Sequence, residues 1–188
     1  MKAAFVLTSV LLGSMLPGNH TRTSTYNHTG NLKFRSGAAG PIGSVSIIID
    51  KSEYALSVYD NQGWYATYPV VFGTDNQGDK KVEGDKKTPE GSFKIISKRV
   101  HDKWSRFLAI DYPNDESRQK FNQRKESGEI PANARIGGSI GIHGTWPHED
   151  FVVDNYKNWT MGCISMKRSD VEEIYSFVKS GTKVIIQK

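Results

Sequence analysis

Ile142-His143-Gly144-Thr145-Trp146, followed after a loop by Trp159-Thr160-Met161-Gly162-Cys163-Ile164-Ser165-Met166, is the stretch around which the chain is organised. The Gly-rich run 136–142 reads as strand material that leads straight into His143. Ile164 and Met166 are apolar again, directly after Cys163. The stretch therefore sets an imidazole and the only cysteine of the chain on either side of one loop. A thiol is the most nucleophilic neutral side chain, but at its free pKa it is mostly protonated, and an imidazole can take that proton. Gly162 permits a tight turn, and backbone N–H groups at Gly162 and Cys163 can face a developing oxyanion. Taken alone, a single cysteine more often behaves as a small buried hydrophobe.

Outward from this stretch the body is β-rich. Residues 45–50 form a β-branched run and 54–60 alternate, with Leu56 and Val58 on one face. A turn at 61–63 and a Tyr- and Val-rich strand over 64–73 complete a three-stranded antiparallel meander. A polar excursion over 74–87 ends in Thr88-Pro89-Glu90-Gly91-Ser92-Phe93, a turn that feeds another strand and shapes a wall of a cleft. A further strand is expected over 106–112. Next comes an exposed helix within 114–128, capped by Asn114 or Asp115, with Phe121 as its clear apolar residue. After the cysteine, Ser169 or Asp170 is expected to cap an amphipathic helix with Val171, Ile174, Tyr175 and Val178 on one face, stopping at Ser180-Gly181. Residues 183–187 close as a strand. The pattern predicts a mostly β sandwich or barrel with a few helices.

The 188 residues suit one folded domain with length left for a tail, and a core of that size needs no disulfide. The balance of 25 basic to 20 acidic side chains gives +5, with the signs interspersed. That describes a solvated surface, not a nucleic-acid stripe. Lys2, the apolar run to Leu16 and Pro17 resemble a secretory signal peptide, too short for the roughly twenty residues of a membrane span. No small-x-small triplet follows the run cleanly, so an uncleaved anchor stays open. Residues 1–16 are thus expected to export or tether the chain, 17–43 to be a flexible linker, and 44–188 to be the catalytic body. His20 and His28 read as solvated tail residues. Export would make an unpaired cysteine a liability unless it has a use. A zinc site from His143, His148 and Cys163 matches no common ligand spacing, and no metal or cofactor is expected.

Three motifs in order go further. Thr88-Pro89-Glu90-Gly91, Ile140-Gly141-Ile142-His143-Gly144-Thr145, and Thr160-Met161-Gly162-Cys163 resemble the signature of the L,D-transpeptidase catalytic domain (YkuD) family. Sixteen residues separate His143 from Thr160, within the spacer range of that signature. The resemblance covers about residues 45–188 and implies a β-rich L,D-transpeptidase-like fold with a cleft. It implies a bacterial enzyme of the periplasm or cell envelope that acts on peptidoglycan stem peptides. Cys163 would be the nucleophile and His143 the general base and acid. The Gly144 carbonyl would orient the imidazole, and the Gly162 backbone would serve the oxyanion hole. Thr160, Ser165, Met161 and Thr145 would contact substrate. Transfer of the thioester to the amine of another stem would cross-link the wall. Hydrolysis would make the chain an L,D-carboxypeptidase, and a non-catalytic wall-binding module is the third reading. Met161 stands where many members carry His, and Ser165 where Arg or Asn is frequent; Arg135, Lys167 and Arg168 are the cations that can compensate.

Overall fold

The computed structural model describes residues 33–35 and 38–188. The order is β1 (Lys33–Phe34), β2 (Ser46–Asp50), β3 (Ala55–Asp60), β4 (Gly63–Val71), β5 (Gly91–His101), β6 (Ser105–Ile110), α1 (Asp115–Glu126), β7 (Gly141–Gly144), α2 (Phe151–Asp154), β8 (Ile164–Met166), α3 (Arg168–Phe177) and β9 (Lys183–Gln187). The expected meander is β2, β3 and β4, paired antiparallel through Ile47 to Val58 and Val58 to Ala66. β9 joins parallel to β2, and β5 continues the sheet through β6 to β7. β7 and β8 are parallel, and β8 returns to the end of β4 through Val70 to Met166. The strand order β4-β3-β2-β9-β5-β6-β7-β8 therefore closes on itself as an eight-stranded mixed barrel. Closure removes the sheet edges that would otherwise invite pairing with other chains.

Alternation sets two faces on this wall. Val58, Val70, Leu108, Ile142, Ile164 and Met166 point inward and form the main core with Ile47, Tyr68, Phe72 and Val184. The opposite face carries one lateral row, because Val71 pairs with Ser165, Ser165 with His143, and His143 with Phe107. Over that row the segment 145–160 folds back, and Val71 packs with Val152, Val153 and Trp159. α3 supplies Val171, Ile174 and Val178 to the main core, as its periodicity predicts.

Several boundaries differ from expectation for identifiable reasons. Lys33–Phe34 lies within the expected linker, yet it pairs with Ala66 and Thr67 of β4. Arg35 fastens it there with a two-pronged contact to the Asp60 carboxylate, at 2.8 Å on each arm. Residues 1–16 and most of 17–43 fall outside the described residues. The strand expected over 136–142 shrinks to Gly141–Gly144, because 135–137 is held instead by the 74–90 loop, with the Glu83 N–H donating to the Arg135 carbonyl at 2.7 Å. α1 starts where expected, with Asn114 as cap accepting from the Ser117 N–H. α3 is not capped by Ser169 or Asp170. It begins at Arg168, and the Asp150 carboxylate takes the Arg168 N–H at 3.1 Å, a cap supplied by a distant segment.

Candidate active site

His143 is the third residue of β7 and lies on the outer row of the wall. It is only 2 % exposed. Its Nδ1 sits 2.8 Å from the Gly144 carbonyl oxygen. A carbonyl can only accept, so the proton is on Nδ1 and Nε2 keeps its lone pair. Burial pushes the imidazole down to about 4, against the opposing pull of the Gly144 carbonyl, with a further push from His101. His143 is therefore neutral across the physiological range, as a base must be. Gly144 is required by space as well as by its carbonyl. A Cβ there would come within 2.7 Å of the Trp104 carbonyl oxygen.

Cys163 precedes β8 by one residue. Because His143 is level with Ser165, strand alternation puts Cys163 on the same face, one ~7 Å two-residue step along β8. The thiol donates to the Ser139 carbonyl at 3.5 Å and not to His143. Burial pushes the thiol pKa up, while the Gly141 N–H and the Lys80 ammonium pull it down. Thiol and imidazole thus rest as neutral groups, without an ion pair.

The loop around the cysteine is fixed by Thr160. Its hydroxyl donates to the Cys163 carbonyl at 2.7 Å and accepts the Gly162 N–H at 3.1 Å. The Gly162 N–H, expected to serve an oxyanion, donates to the Thr160 hydroxyl in this resting structure. The Cys163 N–H, by contrast, has no acceptor among the described residues. Gly162 has φ of 129°, and a Cβ on it would meet the Lys87 carbonyl at 2.7 Å. The 74–90 loop thereby packs directly against the turn that carries the cysteine. Thr88 anchors it by accepting the Gly73 N–H, and the buried Lys51 ammonium holds Glu90 at 2.7 Å.

The residues expected to touch substrate divide sharply. Met161 is 64 % exposed, two residues from the thiol. Thr145 is buried and gives its hydroxyl to Asp150, which also caps α3. Thr160 is buried and committed to the cysteine loop, and Ser165 is buried on the His143 row with its hydroxyl unpartnered among the described residues. The Thr145 and Thr160 hydroxyls are thus both engaged by protein partners. The compensating cations are also engaged. Arg135 pairs with Glu83, Lys167 with Asp154, and Arg168 donates to the Lys103 and Thr145 carbonyls. Among the described residues, no group of three or more His, Cys, Asp or Glu is placed to hold a metal, so His143, His148 and Cys163 do not converge. No described helix is long and apolar enough to cross a membrane.

Residues 44–186 match the L,D-transpeptidase catalytic domain (YkuD) family model. The chain belongs to this family. The family's enzymes are cysteine-dependent L,D-transpeptidases that act on peptidoglycan stem peptides in the cell wall. The fold is similar to the helical cell shape determining protein Pgp2 of Campylobacter jejuni, at 24% identity and TM-score 0.56 over 77% of this chain and 48% of that one. It is also similar to Bd1075 of Bdellovibrio bacteriovorus, at 20% and 0.52 over 77% and 48%. An L,D-transpeptidase of Mycobacterium tuberculosis H37Rv matches at 17% and 0.51 over 77% and 58%. The chain spans about half the length of these proteins. No curated protein sequence matches it.

Proposed function

We propose that this chain is a peptidoglycan L,D-transpeptidase that works in the bacterial cell envelope, with Cys163 as nucleophile and His143 as base and acid. The observation that carries this reading is the shared outer face. It holds a thiol and an imidazole whose free Nε2 is set by the Nδ1–H to Gly144 bond. Rotation of the thiol away from Ser139 brings its proton to Nε2. The sulfur then attacks the carbonyl of the L-to-D bond of a stem tetrapeptide. The oxyanion takes the unused Cys163 N–H. Collapse breaks the C–N bond, and D-Ala leaves with the proton held by His143. The amine of a second stem attacks the thioester, gives its proton to His143, and releases the sulfur. Met161 borders the incoming peptide with an apolar thioether. Residues 1–16 export or tether the chain.

Incubation of the purified protein with disaccharide-tetrapeptides, followed by mass spectrometry of the products, tests this. Cross-linked dimers with release of D-Ala support transfer. Tripeptides alone mean that water is the acceptor and the enzyme is an L,D-carboxypeptidase. Unchanged tetrapeptides, with Cys163 also unmodified by a carbapenem in folded protein, mean that the domain is a non-catalytic wall-binding module.

A further inference from the structure

The tip of the β5–β6 hairpin has no part in the chemistry above, yet it is built against His143. The Trp104 ring is stacked on the imidazole with centroids 4.4 Å apart and planes at 24°. His101 is stacked on the same indole at 4.4 Å and 12°. Phe107 lies parallel to the imidazole at 6.0 Å, and Trp159 meets it edge-on at 5.6 Å. The Trp104 backbone takes part as well. Its carbonyl accepts the Gly144 N–H at 3.0 Å, so it fixes the residue whose own carbonyl holds Nδ1.

The hairpin tip is locked in this position. His101 Nδ1 accepts the N–H groups of Lys103 and Trp104, each at 3.3 Å. Ser105 has a left-handed φ of 60°, and its hydroxyl donates to the Glu172 carboxylate on α3. The indole Nε1 is buried without an acceptor among the described residues. A buried unpaired N–H costs stability, so the ring is kept there for its contacts and not for its polar group.

We propose that Trp104 is the positioning residue for His143. Through its ring it confines the imidazole plane and keeps water from it. Through its carbonyl it sets the Gly144 peptide that orients Nδ1. Trp104 itself touches neither thiol nor substrate. The inference rests on His143 being the base of the proposed reaction, but its physical content does not depend on the substrate.

The test compares Trp104→Ala and Trp104→Phe in the full chain. The His143 titration midpoint is read by NMR and the rate of Cys163 acylation by a carbapenem is measured across pH. In Trp104→Ala water reaches the imidazole. The midpoint then moves up from about 4 toward the ordinary value, and acylation slows by about tenfold or more as aim is lost. Trp104→Phe keeps one aromatic ring and loses the unpaired N–H together with the second ring of the indole, so midpoint and rate stay nearer those of the parent than in Trp104→Ala. An unchanged midpoint and pH profile in a folded Trp104→Ala protein overturns the proposal. If that variant does not fold, Trp104→Leu replaces it with an apolar side chain that cannot stack, and the same two readouts decide. A wild-type protein inert toward muropeptides whose His143 midpoint still moves in the Ala variant would sink the transpeptidase reading and leave the positioning of His143 by Trp104 standing.

Discussion

Thr160 holds Cys163 by its carbonyl: the hydroxyl donates to that oxygen at 2.7 Å while accepting the Gly162 N–H at 3.1 Å. One buried hydroxyl thus closes the turn that carries the nucleophile, and the Cys163 N–H has no acceptor among the described residues. Thr160→Val keeps the volume and removes both bonds, which leaves a buried donor and acceptor unpaired. The expected loss of stability is about 1–3 kcal/mol. Thr160→Ser retains the hydroxyl and loses much less. Thermal unfolding gives the stability, and carbapenem acylation shows whether the Val variant also slows more than the Ser variant.

Gly162→Ala probes the same turn from the backbone. The new methyl group would lie 2.7 Å from the Lys87 carbonyl, in a conformation that side chains rarely adopt. Strain and overlap together cost about 2–4 kcal/mol. Relief requires the 74–90 loop to move away from Gly162. Urea unfolding measures the first effect, and faster proteolysis within residues 74–90 reports the second. Unchanged values for both would mean that the loop does not bear on Gly162.

The barrel was legible where one strand or helix decides its own face. Leu56 and Val58 alternate into the core, and Val171, Ile174 and Val178 recur at helical spacing. Closure of β8 onto β4 was not legible, because Val70 and Met166 carry no local mark of being partners. Within the site, Cys163 and His143 stand out by residue type and by the glycines beside them. Trp104 does not, since its stacking on His143 comes from a hairpin tip whose turn residues are ordinary. Asp150 was hidden in the same way. It joins Thr145 to the start of α3, and both contacts exist only after 145–160 has folded back over the wall.

The resting charge state of the site predicts its labelling profile. Burial raises the thiol and lowers His143 to about 4, so a thiolate–imidazolium pair does not form near neutrality. Alkylation of Cys163 by iodoacetamide then rises about tenfold per pH unit between pH 6 and 8.5, following the thiolate fraction. His143→Gln leaves that slope unchanged, because the neutral imidazole contributes no charge to lower the thiol pKa. A plateau already present at pH 6, abolished by His143→Gln, would show an ion pair and contradict the burial argument.

Asp170 supplies a separate pH dependence on the other side of the wall. It lies in the first turn of α3, is nearly fully buried, and is raised to about 6. Burial is the main cause; Glu173 and Asp150 add to it, and Lys167 and the Ser169 hydroxyl oppose it. A carboxyl raised in the folded state favours folding when protonated, and that contribution is lost as pH rises through about 6. His143 runs the other way. Its contribution of about 3 kcal/mol is complete above its ordinary value and is lost as pH falls through about 4. The two oppose each other between about 4 and 6, so the wild-type stability profile conceals both. Asp170→Asn separates them. At pH 7.5 it removes a buried charge worth about 3 kcal/mol by linkage, less up to about 1 kcal/mol of lost interaction with the helix N-terminus. The net expectation is a gain of about 2 kcal/mol at pH 7.5 that shrinks to almost nothing near pH 4, where the folded wild-type carboxyl is already protonated. Urea unfolding of both proteins at the two pH values measures it. A gain of equal size at both would mean that packing, not ionisation, distinguishes Asn from Asp at this position.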